Sequence, residues 1–312
     1  MKARAIEYQP DGSIEFRDVT VDDPAAHEVQ LEGLVCGICS WDVATCKLGS
    51  NMTVPAPAGH EGVGRITKVG GNVTGFSEGD VVAAGGFQTH KNVSAGDLHK
   101  LPESDIPYEQ WLVEPVACAI TGLDHCRVKT GDRIVVIGCG FMGLLILQGL
   151  ARSNAATVIG VDVDQKRLDL AQSFGIKETY NVTTTDPDTL GKDLAERYPD
   201  VVVDTSGSQN GLDMATKIVR GGGILNLFGW IKGDTATFDP STWHLKGITV
   251  INSSPSARLR ETFGPAILMI DEGLFDLGPL VTHVVPLDDY PQLMRDIVGG
   301  DPSYVKGVVK LA

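Results

Sequence analysis

The chain of 312 residues is long enough for about two domains, each with a core of its own. Hydrophobic residues at 42% and charged ones at 21% make an ordinary globular mixture, and a net charge of −14 without any basic cluster argues against nucleic acid or anionic membrane as partner. Six irregularly spaced cysteines are too few for a disulfide scaffold and fit a reducing, cytoplasmic compartment.

The first twelve residues carry Glu7, Gln9, Pro10 and Asp11 where an export signal needs an apolar run, so export is not expected. Up to about residue 110 the pattern is short and β-like. Val29, Leu31, Gly33 and Val35 alternate with Glu28, Gln30, Glu32 and Leu34, and turn signals such as Gly70-Gly71-Asn72 and Gly85-Gly86 separate the runs. These features predict an irregular antiparallel β domain. From about Asp132 strands alternate with helices. Strands are predicted at 133–137, 157–162, 178–182, 201–204, 224–228 and 248–252, and helices at 141–152, 164–174, 186–198 and 210–219. Residues 134–151 hold no charge over 18 positions, a membrane-like length, but Gly138, Gly140 and Gly143 interrupt them. A buried strand, a glycine turn and a buried helix account for that stretch better. The alternation predicts an α/β fold with a doubly wound, parallel six-stranded sheet. After about Ser254 the chain returns to mixed helix and strand, ending in a strand at 305–311. The economical organisation inserts an α/β domain (118–253) between two parts of a β-rich domain (1–117 and 254–312).

Gly138-Cys139-Gly140-Phe141-Met142-Gly143 fits G-x-G-x-x-G, and its context matters more than the match. It follows an apolar strand, opens an apolar helix, and precedes Asp162 at the end of the next strand. The first glycine permits the tight turn, the second lets backbone approach a pyrophosphate, and the third lets helix and strand pack closely. A carboxylate at Asp162 would accept from ribose hydroxyls and repel a 2′-phosphate, which favours NAD over NADP. Lys166 and Arg167 lie close behind and are the features that would suit NADP. The backbone near Phe228, from Leu227 to Gly229, and that from Asn252 to Ser254 should position the nicotinamide.

Cys36-Gly37-Ile38-Cys39 has no second C-x-x-C with which to build a four-cysteine zinc site. Gly59-His60-Glu61-Gly62-Val63-Gly64 follows, and Glu114 stands in Leu112-Val113-Glu114-Pro115. Thiolate, imidazole and carboxylate are the ligand types of a catalytic zinc with an open position. Together these segments resemble the zinc-dependent medium-chain dehydrogenase/reductase family. Residues 59–73 match its G-H-E-x-x-G-x-x-x-x-x-G signature, Gly37-Ile38-Cys39-Ser40-Trp41-Asp42 resembles its Gly-x-Cys-x-x-Asp segment, and Glu114-Pro115 resembles its polyol branch.

The resemblance implies a GroES-like catalytic domain around a Rossmann domain and one catalytic zinc bound by Cys39 and His60. Glu61, Glu114 or water would complete the zinc shell, and Asp42 would accept from the His60 imidazole. It also implies hydride transfer between NAD and an alcohol or carbonyl substrate, by a homodimer or homotetramer. Polyols, sugars and amino alcohols are the substrate classes favoured. Two departures stand out. Residues 83–102 contain no cysteine, so the family's structural zinc lobe is missing, and Trp41 replaces the Ser or Thr that begins the proton relay in many relatives. A zinc-free quinone or enoyl reductase and a non-catalytic nucleotide-binding protein are the alternatives, and Cys39, His60 and Asp162 count against the first. His90, His99, Cys46, Cys118, Cys126 and Cys139 are expected to be structural. Trp230, Trp243 and His244 are expected either to line the substrate cleft or to serve packing.

Overall fold

The computed structural model describes residues 1–48, 56–229 and 235–311. The chain begins with strands β1 (Lys2–Tyr8), β2 (Ile14–Thr20) and β3 (Glu28–Gly37) and helix α1 (Ser40–Leu48). Strands β4 (Ala56–Pro57), β5 (Glu61–Val69), β6 (Val81–Ala83), β7 (His90–Ser94) and β8 (His99–Lys100) lead to helix α2 (Val113–Cys126). The alternating run follows, with β9 (Arg133–Ile137), α3 (Phe141–Leu150), β10 (Thr157–Asp162), α4 (Gln165–Ser173), β11 (Glu178–Asn181) and α5 (Pro187–Glu196). It continues through β12 (Val201–Asp204), α6 (Gln209–Ile218), β13 (Ile224–Leu227), α7 (Pro240–Lys246) and β14 (Thr249–Asn252). Helix α8 (Phe263–Asp271), strand β15 (Val281–Pro286), helix α9 (Tyr290–Val298) and strand β16 (Lys306–Lys310) close the chain. Two compact units result, Met1–Pro115 with Ala266–Ala312, and Val116–Pro265.

In the second unit the six strands run in the order β11-β10-β9-β12-β13-β14, every pair parallel. Strand β12 is buried at all four positions, as expected where helices cover both faces of a parallel sheet. Helix starts differ from the sequence expectation by a residue because Asp164 and Asp186 cap their helices instead of beginning them, accepting from the Lys166 and Thr189 amides. Residues 254–265, expected with the returning β-rich part, cluster with this unit. There Arg260 makes a two-point ion pair with Asp124 of α2, at 2.8 and 3.1 Å.

In the first unit one sheet runs β15-β16-β3-β5-β6-β8, with β7 also paired to β3, and a three-stranded sheet runs β2-β1-β4. The pairing is antiparallel except between β15 and β16. The expected in–out alternation of β3 is broken, because its pairing with β5 shifts register at Gln30/Leu31 and at Gly33/Val35. Gln30 is consequently buried, and its amide donates to the Asp22 carbonyl at 3.0 Å. Among the described residues no helix is long and apolar enough to cross a membrane.

Leu147 shows how α3 seats on the parallel sheet. It is fully buried, and its Cδ1 lies 3.6 Å from the position a Cβ would take on Gly160 of β10. Leu147→Ala would leave a cavity there and is expected to cost ~2–5 kcal/mol in urea denaturation. A loss under ~1 kcal/mol would show that this contact does not hold the helix to its sheet.

Candidate metal centre and nucleotide site

Three adjacent strands build the first site. Strand β3 pairs with β5 so that Gly37 faces Glu61, and with β16 so that Gly37 also faces Val308. The chain leaves β3 through Ile38, whose amide donates to the Gly307 carbonyl at 2.9 Å, and enters α1. Cys39 stands at the head of that helix, its carbonyl accepting from Val43 at 3.3 Å. Asp42, in the first turn, reaches back with Oδ2 to the Cys39 amide at 2.7 Å, the reciprocal half of a capping box. Gly59, with φ at +82°, turns the chain into β5, and a Cβ there would come within 2.7 Å of the Phe87 ring. His60 and Glu61 follow directly.

These turns bring Cys39, His60 and Glu61 together, with one ligand atom from each lying within 4.8 Å of the others. Cys39 is half-buried, His60 exposed and Glu61 buried, so the cluster is open to one side. A thiolate, an imidazole and a carboxylate at this separation fit a zinc ion with a fourth position free. Glu114 lies outside the cluster, half-buried in the first turn of α2. Of the two carboxylates left open by the sequence, the β3–β5 register delivers Glu61.

Electrostatics act on each member. Burial pushes the Cys39 thiol up to about 12, with Glu61 adding to the effect, while Lys306 and the Trp41 amide work towards the thiolate. Burial also raises Asp42 to about 6, against the hydrogen bonds from Cys39 and Tyr8 and the charge of His60, which favour its anion. The hydrogen bonds that Asp42 accepts come from the Cys39 amide and from the Tyr8 hydroxyl at 2.8 Å, and His60 acts on it through charge. The sequence expectation had the imidazole itself as the donor.

Lys306 of β16, only 3% exposed, pairs with Glu61 Oε2 at 2.5 Å and donates to the Ile38 carbonyl at 2.8 Å. Burial opposes its charge, but Glu61 and Cys39 outweigh that and hold it above the ordinary lysine range. Lys306, Tyr8 and Tyr290 escape the sequence reading. A lysine opening an edge-like strand reads as solvated, and two tyrosines far apart in the chain carry no local signal.

The second site lies on the parallel sheet. Gly138 turns with φ at +94°, and a Cβ there would sit 2.8 Å from the Ser206 amide. A Cβ on Gly143 would lie 2.0 Å from the Gly138 carbonyl, so only glycine lets the helix start so close to the turn. Among the described residues nothing lies within 4 Å of the Cβ position of Gly140, and no side chain caps α3 there. Open space before an uncapped helix start fits a dinucleotide pyrophosphate. Phe141 and Met142 are half-buried at that start. Asp162 ends β10 and is buried, its Oδ2 accepting from the Cys139 amide at 2.5 Å and its Oδ1 from the Asp164 amide at 2.8 Å. The carboxylate is thus fixed beside the glycine turn. Arg167 pairs loosely with Asp164 at 3.8 Å.

Phe228 and Trp243 are engaged in packing. The Phe228 ring lies against Gly122 of α2, where a Cβ would meet it at 2.6 Å, which leaves its backbone as the part that could meet a cofactor. Trp243 stacks on Phe238 at 4.2 Å and donates to Thr216 Oγ1 at 3.1 Å. His244 lies in α7, and Trp230 lies outside the described residues. Cys118, Cys126 and Cys139 are buried, whereas Cys46 is only half-buried.

Gly37 offers a direct check on the first site. A Cβ there would meet Glu61 Oε2 at 2.2 Å and the Leu112 side chain at 2.9 Å. Gly37→Ala is expected to cost roughly 1–3 kcal/mol in urea denaturation and to displace Glu61 from Lys306 in a crystal structure of the variant. An undisturbed pair would show that this close approach is not a constraint.

Known proteins match most of the chain. Residues 142–272 match the zinc-binding dehydrogenase family and residues 25–103 the alcohol dehydrogenase GroES-like domain. An alcohol dehydrogenase from Moraxella sp. is 30% identical over 301 residues, covering 83% of this chain and 86% of that one. The (R,R)-butanediol dehydrogenase of Bacillus subtilis is 27% identical over 336 residues, covering 93% of each. The crystal structure of an Escherichia coli oxidoreductase/dehydrogenase of unknown specificity superposes with a TM-score of 0.91 at 24% identity, covering 100% of both chains. The chain therefore belongs to the zinc-dependent medium-chain dehydrogenase/reductase family, among its alcohol and polyol dehydrogenase-like members.

Proposed function

We propose that the protein transfers hydride between an alcohol and NAD, with one zinc per chain held by Cys39, His60 and Glu61. The observation that carries this reading is the convergence of those three ligand atoms within 4.8 Å of one another. Bound there, zinc supplies a Lewis acid for the substrate oxygen, and the nicotinamide accepts or returns the hydride. The chain's own residues set the stage. Lys306 neutralises and steers Glu61, Asp42 anchors the loop that carries Cys39, and exposed His60 leaves the fourth position reachable by an alcohol. The glycine turn from Gly138 to Gly143 and the start of α3 receive the pyrophosphate, and Asp162 receives the adenosine ribose.

Trp41 does not continue a proton relay, because an indole N–H donates without accepting. It lies edge-on to Tyr8, with ring centroids 6.0 Å apart at 62°, and packs against the core cluster around Ile6 and Ile38. It is therefore read as a wall beside the metal loop. A small polyol, sugar or amino alcohol is the substrate class favoured, on the Glu114-Pro115 resemblance and on the diol named for the Bacillus relative. A cytoplasmic setting is in keeping with six irregularly spaced cysteines. A homodimer or homotetramer is in keeping with β14 ending its sheet, paired among the described residues with β13 alone.

Cys39→Ser is expected to abolish zinc retention and alcohol oxidation while NAD binding, followed by fluorescence titration, persists. Full turnover by a metal-free preparation would defeat the proposal. Asp162→Ser should shift the ratio of kcat/KM values towards NADP by about fivefold or more, since removing one like charge at 4 Å in water is worth ~1 kcal/mol. An unchanged ratio would mean that Asp162 does not read the ribose.

A further inference from the structure

The metal loop rests on a hydroxyl chain that no part of the zinc-ligand reading requires. Tyr8 ends β1, Tyr290 opens α9, and both are fully buried together with Asp42. The Tyr8 hydroxyl donates to Asp42 Oδ1 at 2.8 Å, and the Tyr290 hydroxyl lies in short hydrogen-bond contact with that of Tyr8. An ionised carboxylate only accepts, and each phenol has one proton. With the Tyr8 proton committed to Asp42, Tyr290 must be the donor to Tyr8. The order Tyr290 to Tyr8 to Asp42 is thus fixed, and Asp42 in turn accepts from the Cys39 amide at 2.7 Å. Phe87 holds the far end, its ring centroid 4.7 Å from that of Tyr290.

We propose that Tyr8 and Tyr290 are positioning residues for the zinc site, holding the Asp42 carboxylate in the one orientation that fixes Cys39 at the head of α1. The proposal rests on the assignment of Cys39, His60 and Glu61 as zinc ligands. Tyr8 acts through the carboxylate that anchors the loop carrying Cys39. Groups that orient ligands in this way typically change metal affinity by about 10–100-fold when removed.

Competition with a chromophoric chelator, on the full-length protein, measures zinc affinity without reference to turnover. The cobalt-substituted protein reports ligand geometry through its visible spectrum. Tyr8→Phe should weaken zinc binding by about tenfold or more and shift the cobalt bands. Tyr290→Phe, which leaves the donor to Asp42 in place, should weaken it less, by about threefold. The double variant should bind zinc no worse than Tyr8→Phe. A role in packing alone predicts lower melting temperatures with wild-type zinc affinity and spectrum, and that result would overturn the proposal. If Tyr8→Phe does not fold, wild-type affinity in Tyr290→Phe overturns it equally. Loss of zinc in Cys39→Ser alongside full retention in both tyrosine variants would sink this inference and leave the ligand assignment standing. A wild-type protein that binds no zinc would sink both.

Discussion

Gly37 and Glu61 face each other across two antiparallel strands, and the geometry of the metal site follows from that pairing. Strand side chains alternate faces, so a slip of one residue between β3 and β5 would turn Glu61 away and carry His60 with it. The glycine is required because the carboxylate packs directly over its Cα. On the other edge of β3, β16 brings Lys306 under the same carboxylate. A buried ion pair is weak evidence for stability, since desolvating two charges offsets most of their attraction. Its retention here is better explained by orientation, because Lys306 holds one oxygen of Glu61 and also the Ile38 carbonyl, next to Cys39.

The nucleotide-binding half obeys a different constraint. Its central strands β9 and β12 are buried almost throughout, so they read as nearly unbroken apolar runs, and helices α4 to α7 begin at polar caps. The exception is α3, which opens on Gly140 with no side chain capping it. A helix start left this way costs stability unless something outside the helix meets its amides. Helices α4, α5, α6 and α7 of the same unit use Asp or Ser caps, and α3, which follows the glycine turn, does not.

This contrast explains what was legible beforehand. The parallel sheet could be read strand by strand, because periodicity and apolar runs are local properties, and β9, β10 and β12 fall where the pattern puts them. Cys39, His60, Glu61 and Asp162 were legible because each sits in a short motif whose spacing reflects a turn or a strand end. Glu114 carries a similar motif signal, yet lies outside the cluster, since a motif conveys residue type without tertiary register. The departures from alternation in β3 arise from register shifts that depend on its partner strand. Lys306, Tyr8 and Tyr290 were hidden for a related reason. Lys306 meets Ile38 from 268 positions away, Tyr290 meets Tyr8 from 282 and Tyr8 meets Asp42 from 34, and neighbouring residues in sequence carry no trace of these pairings.

That long reach has a consequence for folding. The Lys306 ammonium and the Ile38 carbonyl it meets are 268 positions apart. Glu61 is buried against the same ammonium, and a buried carboxylate left alone is costly. The first unit therefore closes around Glu61 only when segments from either side of the parallel-sheet stretch of the sequence have met, which makes this corner of the fold one of high contact order.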